Sequence, residues 1–289
     1  MTISPPLPAR RGTAFGCSRN FLGNRFVYVV VSPRARGLSI GINLNPDRYC
    51  NFDCIYCEVD RTQPLAAQEL DFEVLGQELQ RTLDLVRSGA IIHHPSFQNM
   101  PSALLKLQHV AMSGDGEPTL CQTFQKVTET VLHVRARRGN EFFKVVLITN
   151  GTGLDLPEVQ AGLKAFTRRD EIWVKLEAGT QEYMNRLNRS DVPLEKVMAN
   201  ILLISREFPV VIQSLFPMIN GEEPEAEEIQ QFAQRLKELK EQGAKIPLVQ
   251  IYSATRPTVH SECGHLPLKT LSNIAQVVRE VTGLKAEVF

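Results

Sequence analysis

Residues 39–57 read SIGINLNPDRYCNFDCIYC, an apolar strand pattern that runs into a loop with three cysteines. In α/β proteins the chemistry lies just past the carboxyl ends of the strands, which is where this loop falls. Thiolates are the protein ligands of iron–sulfur clusters. Cys50, Cys54 and Cys57 together would hold three irons of a four-iron cluster. The fourth iron would then stay open to a substrate or cofactor.

A structural zinc site is the alternative for these cysteines. Zinc takes four closed ligands, and the fourth would have to come from Cys17, Cys121, Cys263 or a histidine far away in the sequence. No second pair of cysteines supports that arrangement, so the spacing favours a cluster. Cys121 is interpreted as a free thiol in the first turn of a helix, and the roles of Cys17 and Cys263 stay open.

Strand and helix patterns alternate along the chain, in six strand–helix units counted from residue 39. Near-continuous apolar strands, such as residues 145–148, indicate burial on both faces and therefore a parallel sheet. The alternation predicts an α/β protein with either an open doubly wound sheet or a barrel, and the pattern alone does not separate the two. Residues 89–105 are predicted to form an irregular insertion. The predicted strands span residues 26–31, 39–44, 109–112, 144–149, 171–178, 210–218, 248–254 and 285–289. The predicted helices span residues 67–87, 119–138, 157–166, 181–187, 194–207, 225–242 and 268–282.

The first 48 residues contain seven arginines, no lysine and a single acid, although the formal net charge of the whole chain is zero. We predict that residues 1–25 form a basic, flexible tail and that residues 26–289 form a single domain. The arginines would either meet the phosphates of a nucleic acid or simply be solvated. No apolar run approaches the ~20 residues of a membrane span, and the first residues lack the core of a signal peptide. We therefore expect a cytoplasmic protein with no membrane partner.

Three motifs carry a resemblance to a known superfamily. The spacing C-x3-C-x2-C, with Tyr56 before the last cysteine, resembles the radical S-adenosylmethionine (radical SAM) superfamily. The segment Ser113-Gly114-Asp115-Gly116-Glu117-Pro118-Thr119 is similar to that superfamily's Gly-Gly-Glu-Pro motif, with Asp115 in place of the second small residue. Thr149-Asn150-Gly151 resembles its Thr-Asn-Gly segment.

Further segments resemble one branch, the Fe–S oxidoreductases related to the wyosine-forming tRNA enzymes. They are Ser32-Pro33-Arg34, residues 37–43, Lys175-Leu176-Glu177-Ala178-Gly179, and Gln250-Ile251-Tyr252 with Arg256-Pro257. The wyosine enzymes carry extra cluster cysteines upstream of the main motif, whereas only Cys17 lies upstream here. This departure argues against wyosine synthesis itself and against a second cluster.

The resemblance implies a partial (β/α)6 TIM-like barrel of the radical SAM type. It also implies one [4Fe-4S] cluster on Cys50, Cys54 and Cys57, with S-adenosylmethionine bound at the open iron. Reductive cleavage of S-adenosylmethionine would give a 5′-deoxyadenosyl radical that takes hydrogen from an unidentified substrate. A reduced flavodoxin or ferredoxin is the implied electron donor, and tRNA is a candidate partner. The alternative is a non-catalytic iron–sulfur or zinc-binding protein.

Eight residues are candidates to bind S-adenosylmethionine, and four of them are consecutive. Gly114 and Gly116 let backbone carbonyls approach a ligand closely, and the carboxyl groups of Asp115 and Glu117 lie beside them in sequence. Such acceptors suit the ammonium group of the methionine moiety. The alternative is a plain glycine turn between a strand and a helix, with Pro118 as an early helical residue.

The other four candidates come from separate segments. Tyr56 would pack on the adenine or the cluster, or be an ordinary core tyrosine. Asn150 would hold the ribose or the carboxylate, or be a turn residue before a glycine. Lys175 and Glu177 alternate with apolar residues and are predicted to point into the barrel, where they either pair with each other or bind the cofactor. Weaker candidates of the same kind are Gln213, Gln250 and Ser253.

Overall fold

One curled sheet of eight strands runs through the described residues, which are 14–16, 21–61, 69–139 and 142–289 of this computed structural model. The strands are β1 (Val27–Ser32), β2 (Gly37–Asn43), β3 (Leu107–Ser113), β4 (Val145–Thr149), β5 (Glu171–Lys175), β6 (Val210–Leu215), β7 (Met218–Ile219), β8 (Val249–Tyr252), β9 (Cys263–Gly264) and β10 (Ala286–Val288). The sheet order is β1-β2-β3-β4-β5-β6-β8-β10, and β7 with β9 forms a separate two-stranded ribbon. In this sheet β1 is antiparallel to β2, and the other neighbouring strands, in the order β2-β3-β4-β5-β6-β8-β10, are parallel to one another.

Helices follow the parallel strands and pack against the outer face of the sheet. They are α1 (Phe72–Arg87), α2 (Phe124–Arg137), α3 (Pro157–Leu163), α4 (Gln181–Asn188), α5 (Leu194–Ser205), α6 (Ala226–Glu241) and α7 (Leu268–Thr282). Within the described residues β1 and β10 do not pair, so the barrel is partial and the α/β prediction is confirmed in its barrel form. None of these helices combines the length and the apolar surface that crossing a bilayer requires, as far as the described chain extends.

The parallel sheet buries apolar side chains on both of its faces, as the continuous apolar strands predict. On the outer face, Ile40 and Leu147 are fully buried in the main core beneath the helices. On the inner face, Val146, Trp173 and Val211 form a separate small cluster inside the barrel. The lumen is therefore packed at one end and leaves room for a cavity at the other.

Some predicted boundaries were wrong for identifiable reasons. The helix predicted over 119–138 starts as a 3-10 turn, Pro118–Leu120, and α2 begins four residues later, so Cys121 lies between two helical segments and not in a first turn. The strand predicted over 171–178 ends at Lys175. The strand predicted over 210–218 ends at Leu215, just before Pro217, which has no N–H to continue a ladder.

Part of the segment predicted to be a tail packs against the barrel, while residues 1–13 and 17–20, Cys17 among them, lie outside the described residues. Phe21 is 2% exposed, and its ring contacts the rings of His94 and Phe97. Asn24 donates hydrogen bonds to the carbonyl of Val27 and to Thr82. The irregular segment 89–105, which contains two short 3-10 turns, supplies the surface on which this part of the chain packs.

The carboxylate of Asp170 fastens the amino ends of β4 and β5 to α2. It receives hydrogen bonds from Arg135 Nη1 at 2.6 Å, from the backbone N–H of Val145 at 2.8 Å, and from Thr167. The Asp170 side chain is fully buried and that of Arg135 is 11% exposed. Burial alone would raise the pKa of Asp170, but Arg135 and the backbone donors outweigh it and hold the pKa below its usual range.

We predict that Asp170→Asn lowers the free energy of unfolding by about 3 kcal/mol at pH 7, because it leaves a buried guanidinium unpaired. A depressed carboxyl pKa adds stability above the unfolded-state value of about 3.9 and loses it as pH falls. The difference between wild type and variant should therefore shrink below about pH 4. Urea titrations at several pH values measure this, with Glu241→Gln as the control, since the side chains of Glu241 and its partner Lys237 are 63% and 43% exposed and losing that pair should cost under about 1 kcal/mol. Equal losses in the two variants would contradict the interpretation.

Candidate active site

A cavity of about 560 Å³ opens at the carboxyl ends of the parallel strands. Its wall contains the three cysteines, the Gly114–Glu117 segment and the ends of β4, β5, β6 and β8. This is the position predicted for the chemistry from the place of the cysteine loop after a strand. Of the eight residues expected to bind S-adenosylmethionine, seven line the cavity. They are Tyr56, Gly114, Asp115, Gly116, Glu117, Asn150 and Lys175.

The cysteine loop has no regular secondary structure and is held by backbone hydrogen bonds to its neighbours. The N–H groups of Asp53 and Ile55 donate to the carbonyls of Asn188 and Leu187, at 3.0 and 2.9 Å. On the other side, the carbonyl of Tyr49 accepts a 3.0 Å hydrogen bond from the N–H of residue 117. The loop is thereby fixed between the end of α4 and the segment that follows β3.

Each cysteine sulfur accepts a hydrogen bond. Arg61 Nη1 lies 3.0 Å from Cys57 Sγ, Asn188 Nδ2 lies 3.3 Å from Cys54 Sγ, and a backbone N–H lies 3.4 Å from Cys50 Sγ. The sequence analysis missed Arg61 and Asn188. Arg61 is four residues after the last cysteine, which is a weak signal, and Asn188 comes from another element and left no sequence signal at all.

Burial makes free thiols costly to ionise at this site. It raises the pKa of Cys50 to about 11, with Glu117 adding to the effect, and the pKa of Cys54 to about 12. A thiolate here needs positive charge beside it, which metal ions supply when they bind. No three His, Cys, Asp or Glu side chains of the described residues converge as ligands of a single ion. A four-iron cluster takes its thiolates on separate irons, and the three sulfurs in the cavity wall could each supply one.

Glycine is required at 114 and 116 because the backbone packs tightly against the cysteine loop. A Cβ on Gly116 would lie 1.9 Å from the carbonyl oxygen of Tyr49, and one on Gly114 would lie 2.2 Å from Oδ1 of Asn43. Oδ1 of Asn43 also accepts a hydrogen bond from the backbone N–H of Asp115, and Nδ2 of Asn43 donates to the Asp115 carboxylate at 2.9 Å. The glycines therefore serve close packing within the protein as well as any approach to a ligand.

The side chain of Glu117 is buried and already engaged by four donors. Oε1 accepts from the N–H and hydroxyl of Thr119 and from the hydroxyl of Thr149, and Oε2 accepts from the N–H of Asn150 at 2.7 Å. Burial raises the pKa of Glu117, although these hydrogen bonds favour the ionised form. The carboxylate joins the segments after β3 and β4, an arrangement different from the expected open acceptor.

Asn150 also makes its hydrogen bonds with other residues of the protein. Its Nδ2 donates to Oδ1 of Asn51 at 2.9 Å, and its Oδ1 accepts from the N–H and the hydroxyl of Thr152. It lines the cavity while only 4% exposed. The side chain therefore connects the end of β4 to the cysteine loop.

A polar chain runs from the cavity to one of the cysteines. Lys175 Nζ donates to the hydroxyl of Tyr56 at 3.2 Å, that hydroxyl donates to Glu177, and Asn188 donates both to Glu177 at 2.9 Å and to Cys54. Burial lowers the pKa of Lys175, but the coulombic effects of Glu177 and nearby phenol and thiol groups outweigh it, so the pKa is raised and the ammonium persists.

Glu177 does not face the cavity as predicted. β5 ends at Lys175, so the pleat that would have put both charged residues on one face does not continue to Glu177. Its carboxylate lies behind Tyr56 instead, and within the described part of the chain Oε1 is buried without a hydrogen-bond partner. Among the weaker candidates, Gln213 and Ser253 line the cavity and Gln250 accepts a hydrogen bond from Gln213.

The Radical SAM superfamily profile matches residues 44–236, which is more than half of the chain. The chain belongs to the radical SAM superfamily. Two curated relatives are a UPF0026 protein of Helicobacter pylori, 23% identical over 74% of this chain and 62% of its own length, and the UPF0026 protein slr1464 of Synechocystis, 25% identical over 63% and 60%. The match thus spans less than two thirds of either relative. Superfamily membership supports catalysis by radical SAM chemistry.

Solved radical SAM structures share the partial barrel. A radical SAM methyltransferase from Sphaerobacter thermophilus aligns with a TM-score of 0.64 over 91% of this chain and 68% of its own, at 14% identity. SuiB of Streptococcus suis, solved with S-adenosylmethionine bound, gives 0.59 over 88% and 51%, at 13% identity. An archaeal TYW1 aligns with a TM-score of 0.52 over 90% of this chain and 85% of its own, at 13% identity. These likenesses confirm the radical SAM type of partial barrel.

We predict that Gly116→Ala empties the cysteine loop of iron while the barrel stays folded. The added methyl would overlap the backbone carbonyl of Tyr49, and relieving that clash by moving the loop should cost about 1–3 kcal/mol. Iron and sulfide analysis after anaerobic reconstitution, with far-ultraviolet circular dichroism, measures both. Gly76→Ala is the matched control, because a Cβ there would make only an ordinary contact of 3.6 Å with Thr130 of α2. Full iron content in Gly116→Ala would contradict the packing argument.

Proposed function

We propose that this chain is a radical SAM enzyme that holds one [4Fe-4S] cluster on Cys50, Cys54 and Cys57 and acts on a substrate bound in the barrel. When bound, the cluster supplies the electron that cleaves S-adenosylmethionine to methionine and a 5′-deoxyadenosyl radical, which takes hydrogen from that substrate. The observation that carries the proposal is the set of three hydrogen-bonded thiols in the wall of a cavity at the mouth of a radical SAM barrel.

The cavity offers groups of the charge that the methionine moiety requires. Lys175 presents a persistent ammonium, which suits a carboxylate. The backbone carbonyls of Gly114 and Gly116 are acceptors for an ammonium group, and the glycines allow a ligand to come close, whereas the carbonyl of Asp115 already accepts from Arg61 at 2.8 Å. Because Glu117 is engaged by neighbouring residues, we assign it the positioning of this segment.

Tyr56 and Asn150 are assigned to the adenosine part of the cofactor. Tyr56 lines the cavity, its hydroxyl is hydrogen-bonded, and Lys175 Nζ lies 4.7 Å from the centroid of its ring, so we assign the other face of the ring to stacking on the adenine. Asn150 fixes the wall beside it. The apolar side chains of Val30, Ile148 and Leu215 complete the wall, and they would keep water from a reactive intermediate.

We further propose a reduced flavodoxin or ferredoxin as the electron donor and the cytoplasm as the compartment. Cys50, Cys54, Cys57, Cys121 and Cys263 are all free thiols, which suits a reducing environment. A tRNA partner is supported only by the likeness to the TYW1 fold and by the basic N-terminal sequence. Whether the overall reaction is an oxidation–reduction or a group transfer depends on the substrate.

We predict that anaerobically reconstituted wild-type protein forms 5′-deoxyadenosine from S-adenosylmethionine and dithionite, and that Cys54→Ala abolishes it along with cluster absorbance. Removing one of the three cysteine ligands leaves two, too few to retain a four-iron cluster. Liquid chromatography of the nucleoside and iron analysis measure the two effects. Cys121→Ser is the control, because its sulfur hydrogen-bonds with Thr123 and it is not among the described residues that line the cavity, and it should keep iron and activity.

Other outcomes of that experiment discriminate among functions. Full iron content in Cys54→Ala would overturn the ligand assignment. A wild-type protein with about four irons per chain that neither binds nor cleaves S-adenosylmethionine would indicate a non-catalytic iron–sulfur protein. Zinc in place of iron after reconstitution would indicate a structural metal site.

We predict that Arg61→Met lowers the midpoint potential of the bound cluster by roughly 65–130 mV. The reduced cluster carries more negative charge, and the hydrogen bond from Arg61 to Cys57 stabilises that charge by about 1.5–3 kcal/mol, at 59 mV for each factor of ten. Potentiometric titration followed by electron paramagnetic resonance measures it. Arg138→Met, remote at the end of α2, should leave the potential unchanged, and an unchanged potential in Arg61→Met would contradict the assignment.

A further inference from the structure

Two branch motifs that the proposed function leaves unexplained meet at the cavity. The Ser32-Pro33-Arg34 segment forms the turn between β1 and β2, and Tyr252 ends β8. The guanidinium carbon of Arg34 lies 4.1 Å from the centroid of the Tyr252 ring. The same turn reaches β10 through Arg36, which donates to Glu287 at 2.8 Å. The turn therefore spans the open side of the partial barrel.

Arg34 is a cation in the cavity wall without a carboxylate partner among the described residues. Its Nε is buried and makes no hydrogen bond within the described part of the chain. The residue as a whole is half-buried, and an arginine cannot shed its proton, so a cation in this position is stabilised by an anion or by hydrogen-bond acceptors. The two terminal nitrogens of the guanidinium form an edge that binds a carboxylate or phosphate with parallel hydrogen bonds.

The residues around Arg34 supply no negative charge of their own. His109 lies in the same wall, 1% exposed, and burial, with Lys144 and Arg34 adding to it, lowers its pKa to about 3. The imidazole is therefore neutral at physiological pH and can donate one hydrogen bond. Ser39 pairs with His109 across β2 and β3 and also lines the cavity, so a hydroxyl donor is added.

The acids in the cavity wall belong to the cysteine loop and the Gly114–Glu117 segment, and the carboxylates of Glu58, Asp115 and Glu117 have other partners. The carboxylate of Glu58 pairs with Arg256 at 2.9 Å. The carboxylate of Asp115 accepts a hydrogen bond from Asn43, and that of Glu117 accepts from its four donors. The fourth, Asp60, follows the cysteine loop and its carbonyl accepts from Arg48. Within the described part of the chain, no ion pair or hydrogen bond brings a carboxylate to Arg34.

We propose that Arg34, stacked on Tyr252 beside His109 and Ser39, binds the anionic group of a small substrate, a carboxylate or a phosphate, in the lumen. This inference rests on the proposed function and names the class of its substrate. A volume of about 560 Å³ lies within the roughly 300–1,000 Å³ of a site for one drug-sized ligand. With S-adenosylmethionine in place, only a small partner fits beside it, and its anionic end would be held next to the cofactor site, since Tyr252 and Lys175 line the same cavity.

The test uses the reconstituted full chain with S-adenosylmethionine and measures binding by isothermal titration calorimetry. The probes are succinate and pyruvate for the carboxylate, inorganic phosphate and glycerol 3-phosphate for the phosphate, and succinamide and glycerol as neutral controls. Arg34→Met should weaken binding of the anions roughly 10- to 100-fold and leave the affinity for S-adenosylmethionine unchanged. Arg34→Lys keeps the positive charge but loses the paired N–H donors of the guanidinium, so its affinity for the anions should lie between those of wild type and Arg34→Met.

Arg36→Met is the matched control, since its side chain is 71% exposed and pairs at the surface, and it should bind anions like wild type. The carboxylate and phosphate arms show which anion the site prefers. Anion binding that is equal in wild type and a folded Arg34→Met, or no anion binding to wild type by any probe, overturns the proposal.

5′-Deoxyadenosine formation is measured on the same preparations. Formation without Arg34-dependent anion binding would sink this inference alone. Arg34-dependent binding without any 5′-deoxyadenosine would retain the anion site and sink the proposed function.

Discussion

The contact between the Gly114–Glu117 segment and the cysteine loop is the constraint on which the site depends. The N–H of Glu117 donates to the carbonyl of Tyr49, and Gly116 approaches that carbonyl so closely that no side chain fits. The Glu117 carboxylate then binds the residues that follow β4. One residue thus sets the position of the cysteine loop relative to two strand ends, so a buried charge with four donors serves as a joint and not as an isolated acceptor.

The burial of the cysteines creates a second requirement, which is compensation of charge. Thiols with raised pKa values become thiolates only beside positive charge. The protein itself contributes Arg61, whose guanidinium contacts Cys57 and also the carbonyls of Arg48 and Asp115. The chain from Lys175 through Tyr56 and Glu177 reaches Cys54 from the opposite side. Positive and negative groups therefore alternate around the loop, so that a cluster bound there would meet hydrogen-bond donors at its sulfurs.

The sequence was sufficient for what is local and insufficient for what depends on contacts between distant segments. The spacing of Cys50, Cys54 and Cys57 and the apolar strands predicted the site and the parallel sheet, because metal ligands and strand burial leave periodic signals. Asn188 left none, since its partner Cys54 is 134 residues away in the chain, and the motif that contains Tyr252 did not reveal its contact with Arg34, which is 218 residues away. Glu177 was misplaced because the alternation rule holds only while the strand continues, and β5 stops two residues earlier.

The antiparallel strand β1 changes what a partial barrel can hold. An open parallel sheet leaves one side of its lumen exposed, yet here the turn after β1 carries Arg34 to Tyr252 and Arg36 to Glu287. Ala35, between them, packs on the inner cluster that contains Trp173. The turn thus closes the lumen from the side and from below, so a ligand has to enter at the mouth, past the cysteine loop. A group that reaches the closed end meets a guanidinium and a neutral imidazole there, whereas the carboxylates of the cavity wall lie at the mouth, so the two ends of the cavity differ in charge and a ligand would be oriented along it.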